Sequence, residues 1–190
     1  MIFKPEYKHH LLSSERRSEL PPEKIVSAAA VFPGAKVIDY GCGNGFLTLD
    51  LAKAVLPDGR VYAVDIQKEM LDQLAKRIPA ELKEAVHLLL LKSRVLPFKD
   101  GELDFFFMVN VLHEVKGKDS LLTEAARITR AGGKIAVVEW KREKSEKGPH
   151  LSERISPEEL GEQLKKAGFH SLKLVEFKYH YLYLGEKVEF

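Results

Sequence analysis

Lys36-Val37-Ile38-Asp39-Tyr40-Gly41-Cys42-Gly43-Asn44-Gly45-Phe46 is the stretch whose reading decides the fold. Lys36 to Tyr40 is short and apolar, with Pro33-Gly34 before it and glycines after it, and reads as a buried strand. Gly41 to Gly45 reads as a turn and Phe46 to Val55 as a helix. A strand that turns through glycines into a helix does two physical things. The missing side chains let a ligand approach the backbone, and the helix start offers unpaired N–H groups.

Outward from this stretch, strands and helices alternate. Upstream, Pro21-Pro22 can open a helix with the face Ile25, Val26, Ala28 and Ala29, stopped by Pro33-Gly34. Downstream, Pro57-Asp58-Gly59 turns the chain into a second strand, Arg60 to Asp65, followed by a helix whose face is Met70, Leu71, Leu74, Ala75 and Ile78. Val86 to Leu91 and Leu103 to Val109 read as strands and Leu121 to Ile128 as a helix. A turn at Gly132-Gly133 then leads into a strand over Lys134 to Trp140.

Ser156, Pro157, Glu159 and Gly168 have the spacing of an N-cap, a first helical residue, a capping box and a C-terminal stop. The strand signals after this helix, Leu172 to Phe177 and Tyr179 to Leu184, are too closely joined for a crossover and must pair antiparallel. The pattern predicts an α/β fold: a doubly wound, mostly parallel seven-stranded sheet with helices on both faces and an antiparallel C-terminal hairpin. Residues 21–190 are expected to form one domain, since 190 residues suit a single core. Residues 1–20 are polar and without sustained period, and read as an extension or lid.

A formal charge of +2, with both signs interspersed, gives no nucleic-acid stripe. The longest apolar runs are far too short to cross a bilayer and the amino terminus lacks an apolar signal core, so a cytoplasmic protein without membrane partners is expected. Cys42 is the single cysteine, which excludes an intrachain disulfide. Two Asn and three Gln amid abundant Lys and Glu resemble hyperthermophile usage.

In a doubly wound sheet, ligands collect outside the carboxyl ends of the strands, where the glycine turn lies. Asp65, about twenty residues past the glycines, stands where a carboxylate accepts hydrogen bonds from both hydroxyls of a ribose, so the ligand contains a nucleoside. The dinucleotide fingerprint G-x-G-x-x-G is not met: Phe46 occupies the place of its last glycine. This favours a nucleoside without a pyrophosphate over a nicotinamide dinucleotide.

Val37 to Gly45 resembles the first signature of class I S-adenosylmethionine-dependent methyltransferases, and Val61 to Asp65 the acidic loop that follows it. Leu96 to Asp104 followed by Asn110-Val111-Leu112-His113-Glu114 is similar to the fourth-strand region of the small-molecule branch. Arg127 to Ile135 resembles the passage into the fifth strand. The resemblance covers roughly Pro22 to Phe177 in order.

The resemblance implies S-adenosyl-L-methionine as cofactor, S-adenosyl-L-homocysteine as product and a small-molecule acceptor. It implies that Asp39 and the backbone of Gly41, Cys42, Gly43, Asn44 and Gly45 cradle the methionine portion, that Asp65 holds the ribose and that Ile66 packs on adenine. Asn110 would line the sulfonium side. Where relatives carry an Asp for the adenine amino group, this chain reads Lys92-Ser93-Arg94, which leaves Ser93, Arg94 or a backbone group to serve.

Methyl transfer from a sulfonium is an in-line displacement on an activated group, for which orientation supplies about 7 to 11 kcal/mol. A base is needed only if the acceptor loses a proton, and His113 or Glu114 is the candidate. His113-Glu114 lacks the second histidine of H-E-x-x-H, because Gly117 stands there, so no metal is expected. Cys42 has no activating partner in the sequence and is assigned no chemistry of its own. Tyr7, His9 and His10 are lid candidates, and Trp140 and His150 flank a loop that looks mobile. Two alternatives remain: a nicotinamide-dependent oxidoreductase, and a protein that binds S-adenosylmethionine without catalysing transfer.

Overall fold

The computed structural model describes residues 12–93 and 95–188. Seven strands form one sheet: β1 (Lys36–Tyr40), β2 (Arg60–Asp65), β3 (Val86–Leu90), β4 (Leu103–Val109), β5 (Thr129–Trp140), β6 (Phe169–Glu176) and β7 (His180–Lys187). Their order is β3-β2-β1-β4-β5-β7-β6, a seven-stranded, doubly wound sheet of the kind expected from the sequence, which does not itself specify the order. The first five run parallel, and β7 pairs antiparallel with both β5 and β6. The strand order reverses between β1 and β4, and the crevice outside their carboxyl ends is therefore the place for a ligand.

The interiors of the central strands β1, β4 and β5 are buried on both faces, which is why they read as continuous apolar runs, whereas the edge strands β3 and β6 are partly exposed. Alternate residues divide between two cores. Val37, Phe105, Phe107, Ala136 and Val138 pack with α2 (Pro22–Ala29), α3 (Thr48–Val55) and α4 (Lys68–Arg77). Ile38, Phe106, Met108, Ile135 and Val137 pack with α5 (Lys118–Ile128) and α6 (Pro157–Lys166). Phe106 and Phe107, neighbours that point to opposite faces and are both fully buried, each contribute on the order of 1.5 to 3 kcal/mol.

Helix α6 starts as its sequence dictates. Ser156 Oγ accepts from the Glu159 N–H (3.2 Å) and Glu159 Oε2 accepts from the Ser156 N–H (3.0 Å), with Pro157 at the first position. Elsewhere the boundaries differ from the sequence reading. Helix α3 begins at Thr48, not Phe46, because the glycine turn continues through Leu47. Helix α2 ends at Ala29, with Ala30 left-handed, before the proline is reached.

Ala75 is exposed and Ile78 lies just past the end of α4. Gly132-Gly133 lies inside β5, where the pairing with β4 shifts register, so two residues read as a turn are an irregularity within one long strand. The segment before Pro21, read as aperiodic, contains a short helix α1 (Ser14–Glu19) capped by Ser13.

Candidate functional site

The turn after β1 is shaped by three glycines with positive φ: Gly41 (71°), Gly43 (55°) and Gly45 (89°). At Gly41 a side chain is excluded twice over. The angle is costly for any L residue, and a Cβ there would lie 2.5 Å from Val111 Cγ2. The Gly41 and Cys42 N–H groups donate to Val64 O (2.8 and 3.0 Å), which folds the turn back onto β2.

Two carboxylates frame this turn. Asp39, 2% exposed, accepts from Thr48 Oγ1 (2.7 Å) at the start of α3. Burial pushes its pKa up to about 7; the Thr48 hydrogen bond opposes that shift and Asp65 adds to it. Asp65, 8% exposed, accepts from the Gly43 N–H at Oδ2 and the Gln67 N–H at Oδ1, both 2.8 Å.

Asp65 is thus a buried brace between the turn and the end of β2, rather than a solvated strand end. Its pKa is also raised, by burial against those hydrogen bonds. A carboxylate offers about four lone-pair sites, so acceptor capacity remains for another donor. Asn44 is buried in the turn, and its carbonyl accepts from Arg77 on α4. The Cys42 thiol is buried and pushed well up by burial, the state of a packing residue rather than a nucleophile.

Ile66 is half exposed just past β2, and Leu90, in register with Asp65 at the end of β3, is also partly open. Ser93 is exposed and its hydroxyl donates to Val95 O (2.7 Å), while Arg94 lies outside the described residues. Tyr7, His9 and His10 also lie outside them.

Across the switch point, Asn110 follows β4 in the left-handed conformation (φ 57°), which asparagine tolerates better than most residues. Its amide lies 3.0 Å from His180 Nε2. Asn110 Oδ1 and His180 Nδ1 are both buried with no hydrogen-bond partner among the described residues. His180 is held down to about 3 by burial and by the nearby cations Arg16 and Arg154, and is therefore neutral. Trp140 packs against its ring, with centroids 4.0 Å apart.

His113 lies in the 3-10 turn Leu112–Glu114. Its Nδ1 is 2.7 Å from Glu139 Oε2, and its backbone N–H donates to Glu139 Oε1 (3.1 Å). Glu139 is fully buried near the end of β5. Glu114 Oε1 is 3.8 Å from the other ring nitrogen, Nε2. Burial alone lowers the His113 pKa, but the Glu139 hydrogen bond and charge, aided by Glu114 and Glu153, outweigh it and leave it raised.

Several residues of this side were missed in the sequence. Glu139 directly follows the apolar strand core Ile135 to Val138 and carries no local signal. Arg154, buried, donates to four backbone carbonyls, those of Pro149 (3.0 Å), Lys141 (3.0 Å), Glu143 (2.7 Å) and Lys147 (2.7 Å). The loop that looked mobile is therefore wrapped around one guanidinium, and His150 caps the turn that follows it.

Helix α1 lies over the same region. Arg16 stacks on Phe46 (4.1 Å), Arg17 pairs with Asp50 on α3 (3.0 Å), and Lys147 reaches Glu15 and Glu19. Two surface depressions of about 580 and 710 Å³ lie instead between α1, α2 and β6. The first takes in Glu15 and Glu19 of α1, but neither is lined by the glycine turn, Asp39, Asp65, Asn110 or His113, so topology and chemistry rather than hollow size point to the site. Among the described residues no cluster of three or more His, Cys, Asp or Glu side chains could hold a metal ion, and no helix is long and apolar enough to cross a membrane.

Comparison with known proteins adds the family. Residues 38–137 match the methyltransferase domain family. A ubiquinone/menaquinone biosynthesis C-methyltransferase, UbiE, from Burkholderia mallei is 35% identical over 115 residues, which are 60% of this chain and 47% of that protein. An uncharacterized 37.1 kDa transposon protein from Streptomyces fradiae is 38% identical over 115 residues, covering 33% of its length. The chain thus spans from a third to about half of the curated relatives it matches.

Among solved structures, a SAM-dependent methyltransferase from Aquifex aeolicus superposes with a TM-score of 0.90 at 30% identity, covering 98% of this chain and 100% of that one. The [4+2]-cyclase SpnF shares the fold (TM-score 0.78, 93% of this chain and 84% of that one) at only 16% identity. That likeness shows that the fold alone does not specify methyl transfer. The family match over half the chain and the full-length likeness to the Aquifex protein agree with the carboxylate-framed glycine turn: this chain belongs to the class I S-adenosylmethionine-dependent methyltransferases, whose cofactor is S-adenosylmethionine.

Proposed function

We propose that the chain transfers a methyl group from S-adenosylmethionine to a small-molecule acceptor. The observation that carries this reading is the pair of buried carboxylates, Asp39 and Asp65, braced on either side of the Gly41 to Gly45 turn at the switch point of the sheet. In this reading the turn backbone and Asp39 receive the methionine portion, with Asn44 and Cys42 contributing main chain. Asp65 receives the ribose hydroxyls with its remaining lone pairs. Ile66 supports the adenine, whose edge is read by Ser93, Arg94 or the adjacent backbone.

Asn110 Oδ1, buried and without a partner among the described residues, is an acceptor suited to the cationic end of the ligand. Arg16, held against Phe46 beside the turn, supplies the counter-charge for the ligand carboxylate. Of the expected lid, the described part, helix α1, serves to cover this end. His113 and Glu114 are the groups available to take a proton from the acceptor. The bound donor supplies the activated methyl; the chain's part is to orient it, exclude water and move that proton.

The test is to incubate the chain with deuteromethyl-labelled S-adenosylmethionine and, separately, small-molecule, protein and nucleic-acid fractions. Label in the small-molecule fraction, with matching S-adenosylhomocysteine, is the expected result. Label confined to a macromolecular fraction contradicts the acceptor class, and S-adenosylmethionine binding without transfer anywhere supports a non-catalytic binder. The UbiE relative's name gives carbon as its acceptor atom, so labelled products are to be examined for carbon as well as oxygen methylation.

A further inference from the structure

We propose that Glu139 and His113 form a base pair of groups in which Glu139 fixes the imidazole as its Nδ1–H tautomer and leaves Nε2 to deprotonate an uncharged, acidic hydroxyl on the acceptor. The inference rests on the methyltransferase reading and names the acceptor class for it. Glu139 is a positioning residue in this scheme; His113 is the group that meets the substrate.

Geometry carries the first part. One fully buried carboxylate takes both the His113 backbone N–H (3.1 Å) and Nδ1 (2.7 Å), so two points of the same residue are fixed to one carboxylate. Nδ1 must then carry the hydrogen, because a carboxylate can only accept. Nε2 is left with its lone pair, in a turn that begins three residues past the carboxyl end of β4, the edge of a doubly wound sheet where ligands collect. A base held by a third group in this manner can become cationic without leaving a buried charge unpaired.

The surroundings set the substrate class. The titratable groups facing His113 are Glu139 on β5, Glu114 on its own turn, Glu153 in the following 3-10 turn, and His180 on β7, which is neutral. Three carboxylates about one base repel an anionic acceptor, so the acceptor enters uncharged. A base in the imidazole range withdraws a proton efficiently from a phenol- or enol-type hydroxyl and poorly from an aliphatic alcohol.

The step balances. The acceptor O–H breaks, its proton passing to Nε2 and its electron pair remaining on the acceptor. That pair forms the bond to the methyl carbon as the S–CH₃ bond breaks, both electrons going to sulfur, so the sulfonium becomes a neutral thioether. The proton on Nε2 then leaves to water. Attack through a conjugated ring carbon begins with the same proton transfer and ends with the C–H proton moving to oxygen.

The test has two arms. In the free native chain, ¹⁵N NMR of labelled histidine reports the tautomer and titration of His113 without any need for S-adenosylmethionine to bind. The expected result is an Nδ1–H tautomer titrating above 6.5 that falls by about one pH unit in Glu139→Gln. In the second arm, 4-nitrophenol is titrated into the S-adenosylhomocysteine complex and phenolate is read by absorbance. The native chain is expected to raise the bound phenolate fraction several-fold over Glu139→Gln and His113→Gln, with Glu139→Asp intermediate.

An Nε2–H tautomer in the native chain overturns the proposal even if every variant misfolds. An equal phenolate fraction in native and His113→Gln chains, or no saturable binding of the phenol, overturns the acceptor class. Failure of the native chain to bind S-adenosylhomocysteine instead overturns the cofactor reading, and leaves the first arm to decide the pairing.

Discussion

The two sides of the crevice are built differently. On the donor side, Asp39, the glycine turn and Thr48 lie within ten residues of one another, and Asp65 joins them from the next strand. On the proposed acceptor side, His113 meets Glu139 across 26 positions, and at the border between the two sides Asn110 meets His180 across 70. The donor side recognises a fixed ligand and can be written as a local motif. The acceptor side is assembled by strand order, so it can be changed one residue at a time without disturbing the turn. Donor-side substitutions should therefore damage folding and cofactor binding together, and acceptor-side substitutions should separate them.

The largest effect is expected for Gly41→Ala. The added Cβ meets Val111 at 2.5 Å with φ at 71°, and together these should remove about 2 to 4 kcal/mol of stability. S-adenosylhomocysteine affinity should fall at least 100-fold. A urea midpoint and a calorimetric isotherm close to native would break the comparison on the donor side.

Arg154→Ala tests the other side. Removing a buried cation bound to four carbonyls should cost roughly 2 to 3 kcal/mol. It should also make the 141–149 segment the first site of limited proteolysis, while S-adenosylhomocysteine affinity stays within about threefold. If cofactor affinity collapses in step with stability, the two sides are not separable.

Arg16→Ala sharpens the boundary between them. Loss of the counter-charge should weaken S-adenosylhomocysteine about tenfold, an effect of order 1.4 kcal/mol. Binding of 5′-methylthioadenosine, which lacks the amino and carboxyl groups, should not change. Equal weakening of both ligands would assign Arg16 to packing on Phe46 alone.

The smallest effect, taken over the single pH unit just below 7, is a pH dependence. Asp39 holds its proton up to about 7 in the free chain against an ordinary value of 3.8. The folded state therefore binds more protons than the unfolded one across that window, and this group's contribution to stability falls as pH rises through it. A cationic ligand end favours the carboxylate and lowers its pKa. Binding below 7 should then release a proton, and S-adenosylhomocysteine affinity should rise by up to tenfold per pH unit and level off above it. Calorimetry in buffers of different ionisation enthalpy checks both.

How far the sequence could be read follows from the same contrast. The mostly parallel sheet followed from alternation, the antiparallel hairpin from the short link between the last two strands, and helix α6 from four cap residues. The donor turn was readable because glycine, aspartate and helix start lie next to one another. Local signals failed where geometry overrode them: α3 starts late because the turn keeps Phe46 and Leu47, and Gly132-Gly133 sits inside a strand because β5 tolerates a shifted register. Glu139 and His180 had no signal, since each looks like one polar residue at the end of an apolar strand. Their meaning comes only from the partner that the sheet brings alongside, and Arg154's role comes only from carbonyls spread over nine residues of loop.

The central claim is that Asp65 and the glycine turn hold an adenosyl ligand without a pyrophosphate. Calorimetry of the native chain and Asp65→Ala with S-adenosylmethionine, S-adenosylhomocysteine and NAD in parallel tests it most directly. Saturable binding of both adenosyl ligands, weakened at least tenfold by the substitution and absent for NAD, is the expected result. Binding of NAD without either adenosyl ligand would contradict the account.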